Sequence, residues 1–392
     1  MKFIHTADWQ IGKPFVRIED EKNRALLQQQ RIDTVKKIGE VARDQDAAFV
    51  VVAGDLFDSN TPDKATVSGL CSAVGEMEIP VYVIPGNHDT GGPGTIYEQD
   101  FFLQEAGDLA PNMHVLLESR PIELETAILL PCPCIYKIGR DDPVKWLANN
   151  EIYETLPQGL PRIVIAHGSV MSFSGDSFPD GEDDDFSDVI NLDFIPSEQV
   201  DYIALGDWHG TRQVHEKGWY SGTHEQDRYP RGEGYDAGNV LVVHVKRAVD
   251  PRVEKVHVGQ NRWHSLEKNI HSDQQLHHLV DEIKGLTEGR VKRDLLRLAI
   301  KGSLSMKGLD RFNGLVETWE ARFLELRLEK DLKIAPDDED LQELLTRSDP
   351  MISAVAGRLF ELIDQGNNEK EQKVATLALM ELYSAVAGGS RE

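Results

Sequence analysis

The stretch that most restricts how this chain can fold is Val81-Tyr82-Val83-Ile84-Pro85-Gly86-Asn87-His88-Asp89. Four strand-forming residues run into Pro85-Gly86, which forces a sharp turn, and an amide, an imidazole and a carboxylate follow with no spacer. A buried strand that ends on three such groups is poor core material and good material for a site at a sheet edge. Taken alone, the stretch reads equally well as a polar loop with an Asp helix cap. The same pattern recurs at four other places, and the recurrence decides the reading.

The first is residues 2–6, a short strand that ends at Ala7-Asp8-Trp9-Gln10. Residues 25–44 follow as an amphipathic helix with Leu27, Ile32, Val35, Ile38 and Val41 on one stripe. Residues 48–53 are wholly apolar, the mark of a strand buried on both faces, and they deliver Gly54-Asp55-Leu56-Phe57-Asp58. Thr61-Pro62 is expected to open the next helix, with the proline just inside its start. Strand and helix alternating in this way imply a parallel sheet with ligands at the carboxyl ends of its strands.

Beyond residue 110 the strands crowd together, at 114–117, 126–130, 162–166 and 201–205. The last two end in His167-Gly168 and Gly206-Asp207-Trp208-His209-Gly210. Residues 218–222, 238–245 and 253–258 read as a run of antiparallel strands that closes the domain. Between them, residues 176–188 carry seven acids and no base, which predicts a mobile loop.

From Trp263 the pattern changes. Ser272 is placed to cap a helix, Leu296, Leu298 and Ile300 alternate as a half-buried strand, and Leu309, Phe312, Val316 and Trp319 line a further helix. Another alternating strand runs through Leu324, Leu326 and Leu328, and past Pro336 the chain reads as helices. The expected division is residues 1–262, a small α/β domain at 263–335, and a helical region at 336–392. A chain of 392 residues is too long for one ordinary core, which agrees with several domains.

With 40% hydrophobic and 28% charged residues the composition is that of a soluble globular protein. No apolar run approaches the ~20 residues that span a bilayer. Three cysteines make no disulfide framework, the N-terminus reads as a strand, and a cytoplasmic location is expected, with no membrane partner. Cys132 and Cys134 are expected as buried filler, and His277-His278 as solvent-facing. The net charge of −25 would repel a polyanion if spread evenly. Lys13, Arg17, Lys64, Arg212, Arg228 and Arg231, however, lie just after the strand ends and could face a phosphate backbone.

Collected along the chain, the strand ends offer Asp8, Gln10, Asp55, Asn87, His88, His167, Asp207 and His209. Carboxylate, imidazole and amide oxygen without thiolate suit divalent ions such as manganese, and Asp55 could bridge two of them.

Asp8-x-Gln10, Gly54-Asp55-x-x-Asp58, Gly86-Asn87-His88-Asp89, His167-Gly168 and Gly206-x-x-His209 together resemble the five ordered motifs of the calcineurin-like metallophosphoesterases. Within them, His5-Thr6-Ala7-Asp8, Gly54 through Asn60 and Tyr220-Ser221-Gly222 are similar to the DNA-repair nuclease branch of Mre-eleven/SbcD type. The resemblance implies an αββα sandwich with a small α/β capping domain and C-terminal helices. It implies a metal-dependent phosphodiesterase, a DNA exonuclease or endonuclease, acting in DNA repair or in defence against foreign DNA. Its partners would be DNA, a second copy of the chain, and an SMC-like ATPase of SbcC type docked on the C-terminal helices.

By the same resemblance Asp8, Gln10, Asp55 and His209 would surround a first metal, and Asp55, Asn87, His167 and Asp207 a second. His88 would be the catalytic acid or charge stabiliser, with Lys13, Arg17, Asn60, Lys64 and Arg212 against DNA. The cofactors would be two divalent ions, manganese first and magnesium as the alternative. Gln10 and Asp207 depart from the family pattern, which has histidine at both places, though each keeps an oxygen able to bind a hard cation. Two other readings stand beside this one: a phosphatase or phosphodiesterase for substrates other than DNA, and a non-catalytic scaffold that binds DNA or a partner.

Overall fold

A computed structural model describes the chain except for residues 137–141, 172–188, 231–234, 335–337, 366–368 and 389–392. The acidic stretch 176–188 and Arg231 lie outside the described residues. The chain divides into two compact units, Met1–Arg262 and Trp263–Glu392.

The first unit holds two six-stranded sheets. One is ordered β14 (Val249–His257), β13 (Asn239–Lys246), β1 (Lys2–Thr6), β2 (Val50–Ala53), β3 (Val81–Ile84), β4 (Met113–Val115), with β1 to β4 parallel and β13 antiparallel to β1. The other is ordered β11 (Arg212–His215), β12 (Gly218–Tyr220), β10 (Tyr202–Gly206), β7 (Arg162–His167), β6 (Ile128–Cys132), β5 (Ile122–Glu123). A two-stranded pair, β8 (Ser169–Val170) and β9 (Val189–Ile190), stands apart.

Alternation along each strand builds three apolar layers. Phe3, Val51, Ala53 and Ile84 of the first sheet face Leu129, Ile163, Ile165 and Ala204 of the second. The opposite residues of the first sheet, Ile4, Val50, Val52, Val81 and Val83, pack under helices α1 (Glu21–Asp44), α2 (Lys64–Gly75) and α3 (Asp100–Leu109). Ile128, Leu130, Val164 and Ile203 of the second sheet are covered by Val144, Leu147 and Tyr153, the last in α4 (Glu151–Glu154). The result is the expected αββα sandwich. Each buried Val or Ile contributes about 1.5–3 kcal/mol.

Two local expectations are corrected. Helix α2 starts at Lys64 under an Asp63 cap, whose carboxylate accepts from Thr66 N at 2.9 Å, so Pro62 precedes the helix instead of opening it. Asp63 wins because it satisfies an orphan N–H, which proline cannot do. The closing strands do not form one antiparallel run either. β12 joins the second sheet parallel to β10, and the segment after it carries the chain across to β13 in the first sheet.

In the second unit β15 (Trp263–Ile270), α5 (Asp273–Thr287), β16 (Leu295–Leu304), α6 (Met306–Arg322) and β17 (Glu325–Ile334) make a parallel three-stranded sheet with two helices. Its core joins Leu276, Leu279 and Ile283 to Leu296, Leu298, Ile300, Phe312 and Trp319. Strand β15 escapes the sequence reading because its polar residues mask the alternation. Helices α7 (Asp338–Thr346), α8 (Pro350–Gln365) and α9 (Glu369–Gly388) pack through Leu344, Ala356, Leu379 and Tyr383. No helix among the described residues is long and apolar enough to cross a membrane.

Candidate metal centre

The carboxyl ends of β1, β2, β3, β7 and β10 meet where the two sheets face each other, so the polar residues after them converge. Asp8, Asp55 and His167 each offer one ligand atom, and these atoms lie within 4.8 Å of one another. All three are buried.

The turns that present them are strained. Asp8, Gln10, Asp55 and Asp207 have φ of 53°, 38°, 53° and 104°, in a region that costs a non-glycine residue about 1–3 kcal/mol. The surroundings hold them there. Asp8 N donates to Gly54 O at 3.1 Å and Gln10 N to Asp55 O at 2.8 Å. The buried Arg31 of α1 donates to Asp8 O at 3.0 Å and Trp9 O at 2.8 Å, and Thr223 Oγ1 donates to Asp8 O at 2.8 Å. Close approach also explains two glycines. A Cβ on Gly86 would lie 2.0 Å from Asp55 Oδ1, and one on Gly54 would lie 2.2 Å from His167 Nδ1.

His167 Nδ1 donates to Ala53 O at 2.8 Å, which turns Nε2 toward the site. There Nε2 is 2.9 Å from Asn87 Oδ1 and 3.4 Å from Asp55 Oδ1. A lone pair facing two oxygens needs a cation between them, either a proton or a metal ion. Asp8 Oδ2 is buried with no hydrogen-bond partner, while Oδ1 accepts from Asp207 N at 2.9 Å. A buried acceptor left unmatched costs about 1–3 kcal/mol, so this donor set fits a divalent cation.

Without an ion, protons take its part. Burial pulls the His167 pKa down, but Asp55, Asp8 and Asp207 outweigh it and raise it to about 9. Burial raises Asp207 to about 7 against the pull of His167. Asp8 is raised by burial as well. For Asp55 burial acts upward, yet His167, His88 and the His88 N–H together hold its pKa below the usual carboxylate range.

His88 is partly exposed. Its Nδ1 donates to Asp58 O at 2.9 Å, its Nε2 is 3.9 Å from Asp55 Oδ2, and its backbone N–H donates to Asp55 Oδ1 at 3.0 Å. Burial lowers its pKa, and Asp55 and the Asp58 carbonyl more than reverse that. Asp89 turns away from the site. Its buried carboxylate accepts from Gly86 N, Phe57 N and Tyr97 Oη, which ties the turn together.

The Gln10 side differs. Lys13 Nζ donates to Gln10 Oε1 at 2.8 Å, and Gln10 Nε2 is 3.5 Å from Asp55 Oδ2. His209 Nδ1 is 2.9 Å from both Asp227 Oδ2 and Arg228 Nη2. The carboxylate only accepts and the guanidinium only donates, so the proton on Nδ1 decides. Placed there, it goes to Asp227 and leaves the Nε2 lone pair for the site. Asp227 also accepts from Tyr235 Oη at 2.5 Å. Burial would raise its pKa, but His209, Arg228 and Lys13 keep it well below the ordinary carboxylate value.

Asp227 and Arg31 are the functional residues that sequence reasoning missed. Of the expected DNA contacts, Lys13 is committed to Gln10, and Asn60 Nδ2 donates to Thr90 Oγ1 at 3.1 Å. Lys64 is exposed and lies over the Phe101 ring at 4.9 Å, while Arg17 and Arg212 are exposed. Cys132 and Cys134 are buried and His277 and His278 exposed, as expected.

The family model for calcineurin-like phosphoesterases matches residues 1–237. Among solved structures, the TT1561 protein of Thermus thermophilus is similar at 13% identity over 66% of this chain and 98% of that one, with a TM-score of 0.40. A second solved chain matches at 13% identity over the same shares, with a TM-score of 0.39.

Proposed function

The chain belongs to the calcineurin-like phosphoesterases, and from that premise we propose that it hydrolyses phosphodiester bonds of DNA in a complex with an SMC-like ATPase. The observation that carries the chemistry is the buried convergence of Asp8, Asp55 and His167, with an unmatched Asp8 oxygen and a His167 lone pair aimed at oxygen. Asp55, Asn87, His167 and Asp207 would hold one divalent ion, with Asp8, Gln10 and His209 beside a second position. Divalent ions bound there would make water a stronger nucleophile and offset charge on the phosphoryl oxygens. Manganese suits the mixed carboxylate, amide and imidazole donors, and magnesium is the alternative.

The protein's own part is orientation and a proton. Asp58 O fixes the ring of His88 so that Nε2 is the atom free to meet a leaving oxygen. Asp55 is held in place by the His88 N–H, which couples the proton donor to the central carboxylate.

DNA as substrate rests on the sequence likeness to the repair-nuclease branch, and on exposed Arg17, Lys64 and Arg212 near the strand ends. In the fold, the branch-like His5 and Tyr220 brace the scaffold: His5 lies against Tyr202 Oη at 3.0 Å, and Tyr220 Oη donates to Gly168 O at 2.7 Å. The ATPase and a homodimeric assembly rest on the same likeness. In support, Met351, Val355 and Phe360 of α8 and Val374 and Leu377 of α9 stay exposed after the helices have packed.

A second reading, a phosphodiesterase for small esters, is favoured by the net charge of −25 and by the inward commitment of Lys13. Manganese-dependent cleavage of plasmid and hairpin DNA should be compared with cleavage of nucleotide esters, with and without the ATPase. Preference for DNA supports the first reading, and turnover of esters alone supports the second. Removing residues 336–392 should abolish co-purification of the ATPase; co-purification that survives would remove the docking role.

A further inference from the structure

We propose that the ammonium of Lys13 is a built-in cation for the half of the site bordered by Gln10, Asp227 and His209. The chain would then hold one divalent ion firmly, on the His167 side, where two are expected. The inference rests on the phosphoesterase reading for the existence of a metal site, and it does not depend on DNA being the substrate.

Lys13 Nζ donates to Gln10 Oε1 at 2.8 Å and lies 3.5 Å from Asp227 Oδ2 and 3.8 Å from Asp58 Oδ1. Its side chain is only 18% exposed. A surface lysine swings freely, but this one is anchored at its backbone. Lys13 N donates to Gln10 O at 3.1 Å, and Gln28 Nε2 of α1 donates to Lys13 O at 3.0 Å. Gly12, with φ of 92°, makes the turn that folds Lys13 back over Gln10.

The amide of Gln10 completes the argument. The oxygen that could bind an ion is taken by the ammonium, and the end that faces Asp55 Oδ2 is the NH2 donor. An amide oxygen and nitrogen look alike in shape, yet only this orientation gives the Lys13 ammonium an acceptor and the Asp55 carboxylate a donor. A divalent ion entering here would have to break the Lys13 bond, turn the amide over and sit beside a positive charge in a poorly screened site. Asp227 is matched as well, by His209, Tyr235 and Lys13. Gln10 and Asp227 therefore have their donors already, whereas on the His167 side a cation must come between His167 Nε2 and the oxygens of Asn87 and Asp55.

The test is the stoichiometry and affinity of manganese on the full chain, stripped with chelator and titrated by calorimetry, with metal content measured after desalting. Wild type should bind one equivalent firmly. Lys13→Met/Gln10→His should bind two, its second step at least about tenfold tighter than any second step of wild type. Lys13→Arg, which keeps a cation, should still bind one. Two equivalents of similar affinity in wild type, or one in a folded double variant, would overturn the proposal. Should the double variant fail to fold, one against two equivalents in wild type decides. No bound metal in wild type would overturn the phosphoesterase reading itself, and this inference with it.

Discussion

The two halves of the site solve the same electrostatic problem in opposite ways. Asp8 Oδ2, which borders both halves, has no partner, and on the His167 side His167 Nε2 points at Asn87 Oδ1 and Asp55 Oδ1. On the Gln10 side the acceptors have donors: Lys13 for Gln10, and His209 and Tyr235 for Asp227. Buried acceptors without donors are costly, so the first half is complete only with a cation from outside. In the second half Gln10 and Asp227 are matched without one. Proteins that bury polar groups usually satisfy them, and Asp8 Oδ2 is an unmatched buried oxygen where the strand ends converge.

The largest effect that could break this contrast is expected at the residue the halves share. Asp55→Ala should abolish manganese binding and reduce phosphodiester hydrolysis to background, measured by metal analysis and a chromogenic diester. His88→Ala should keep the metal yet lose about 10²–10⁴-fold in rate, because it removes a proton donor and no metal ligand. Loss of the metal in His88→Ala would show that the role is misassigned.

Protonation sharpens the contrast next. In the metal-free chain His167 has its pKa raised to about 9, above the ordinary 6.5. The stability this contributes is fully present below about pH 6.5 and is lost as pH rises through about 9. Asp207, raised to about 7, pushes the same way. The metal-free protein should therefore melt at lower temperature at pH 9 than at pH 6. Metal must displace the His167 proton, so manganese affinity should rise over the same interval, with protons released. Calorimetry in buffers of different ionisation enthalpy reads that release; its absence would place the metal away from His167. The smallest effect is expected from Asp227→Asn, which unsettles the His209 tautomer without touching the His167 half. About 10–100-fold lower activity is expected, with the firm manganese step unchanged.

Much of the scaffold is legible in the sequence because it follows from period and punctuation. The apolar strands at β2 and β3 announce themselves, as do the glycine-bounded motifs at their ends. What escapes lies where spacing carries no signal. Asp227 follows His209 beyond the antiparallel pair β11 and β12, at a distance along the chain that no motif marks, and reaches it where the chain leaves the second sheet for the first. Arg31 sits mid-helix and looks like any surface arginine, yet it is buried against the carbonyls of Asp8 and Trp9. Asp89 shares a motif with Asn87 and His88, but the turn sends its carboxylate inward. Lys13 reads as a phosphate contact because a sequence does not say which way a lysine bends. The positive φ at Gly12 decides it.

On this reading the converging strand ends are a metal centre whose two halves differ in their need for an ion. Anomalous diffraction at the manganese edge, on crystals of the full chain soaked in manganese, tests it most directly. A strong peak is expected among Asp55, Asn87, His167 and Asp207 and a weak or absent one beside Gln10. A stronger peak beside Gln10, or no peak at the strand ends, would contradict it.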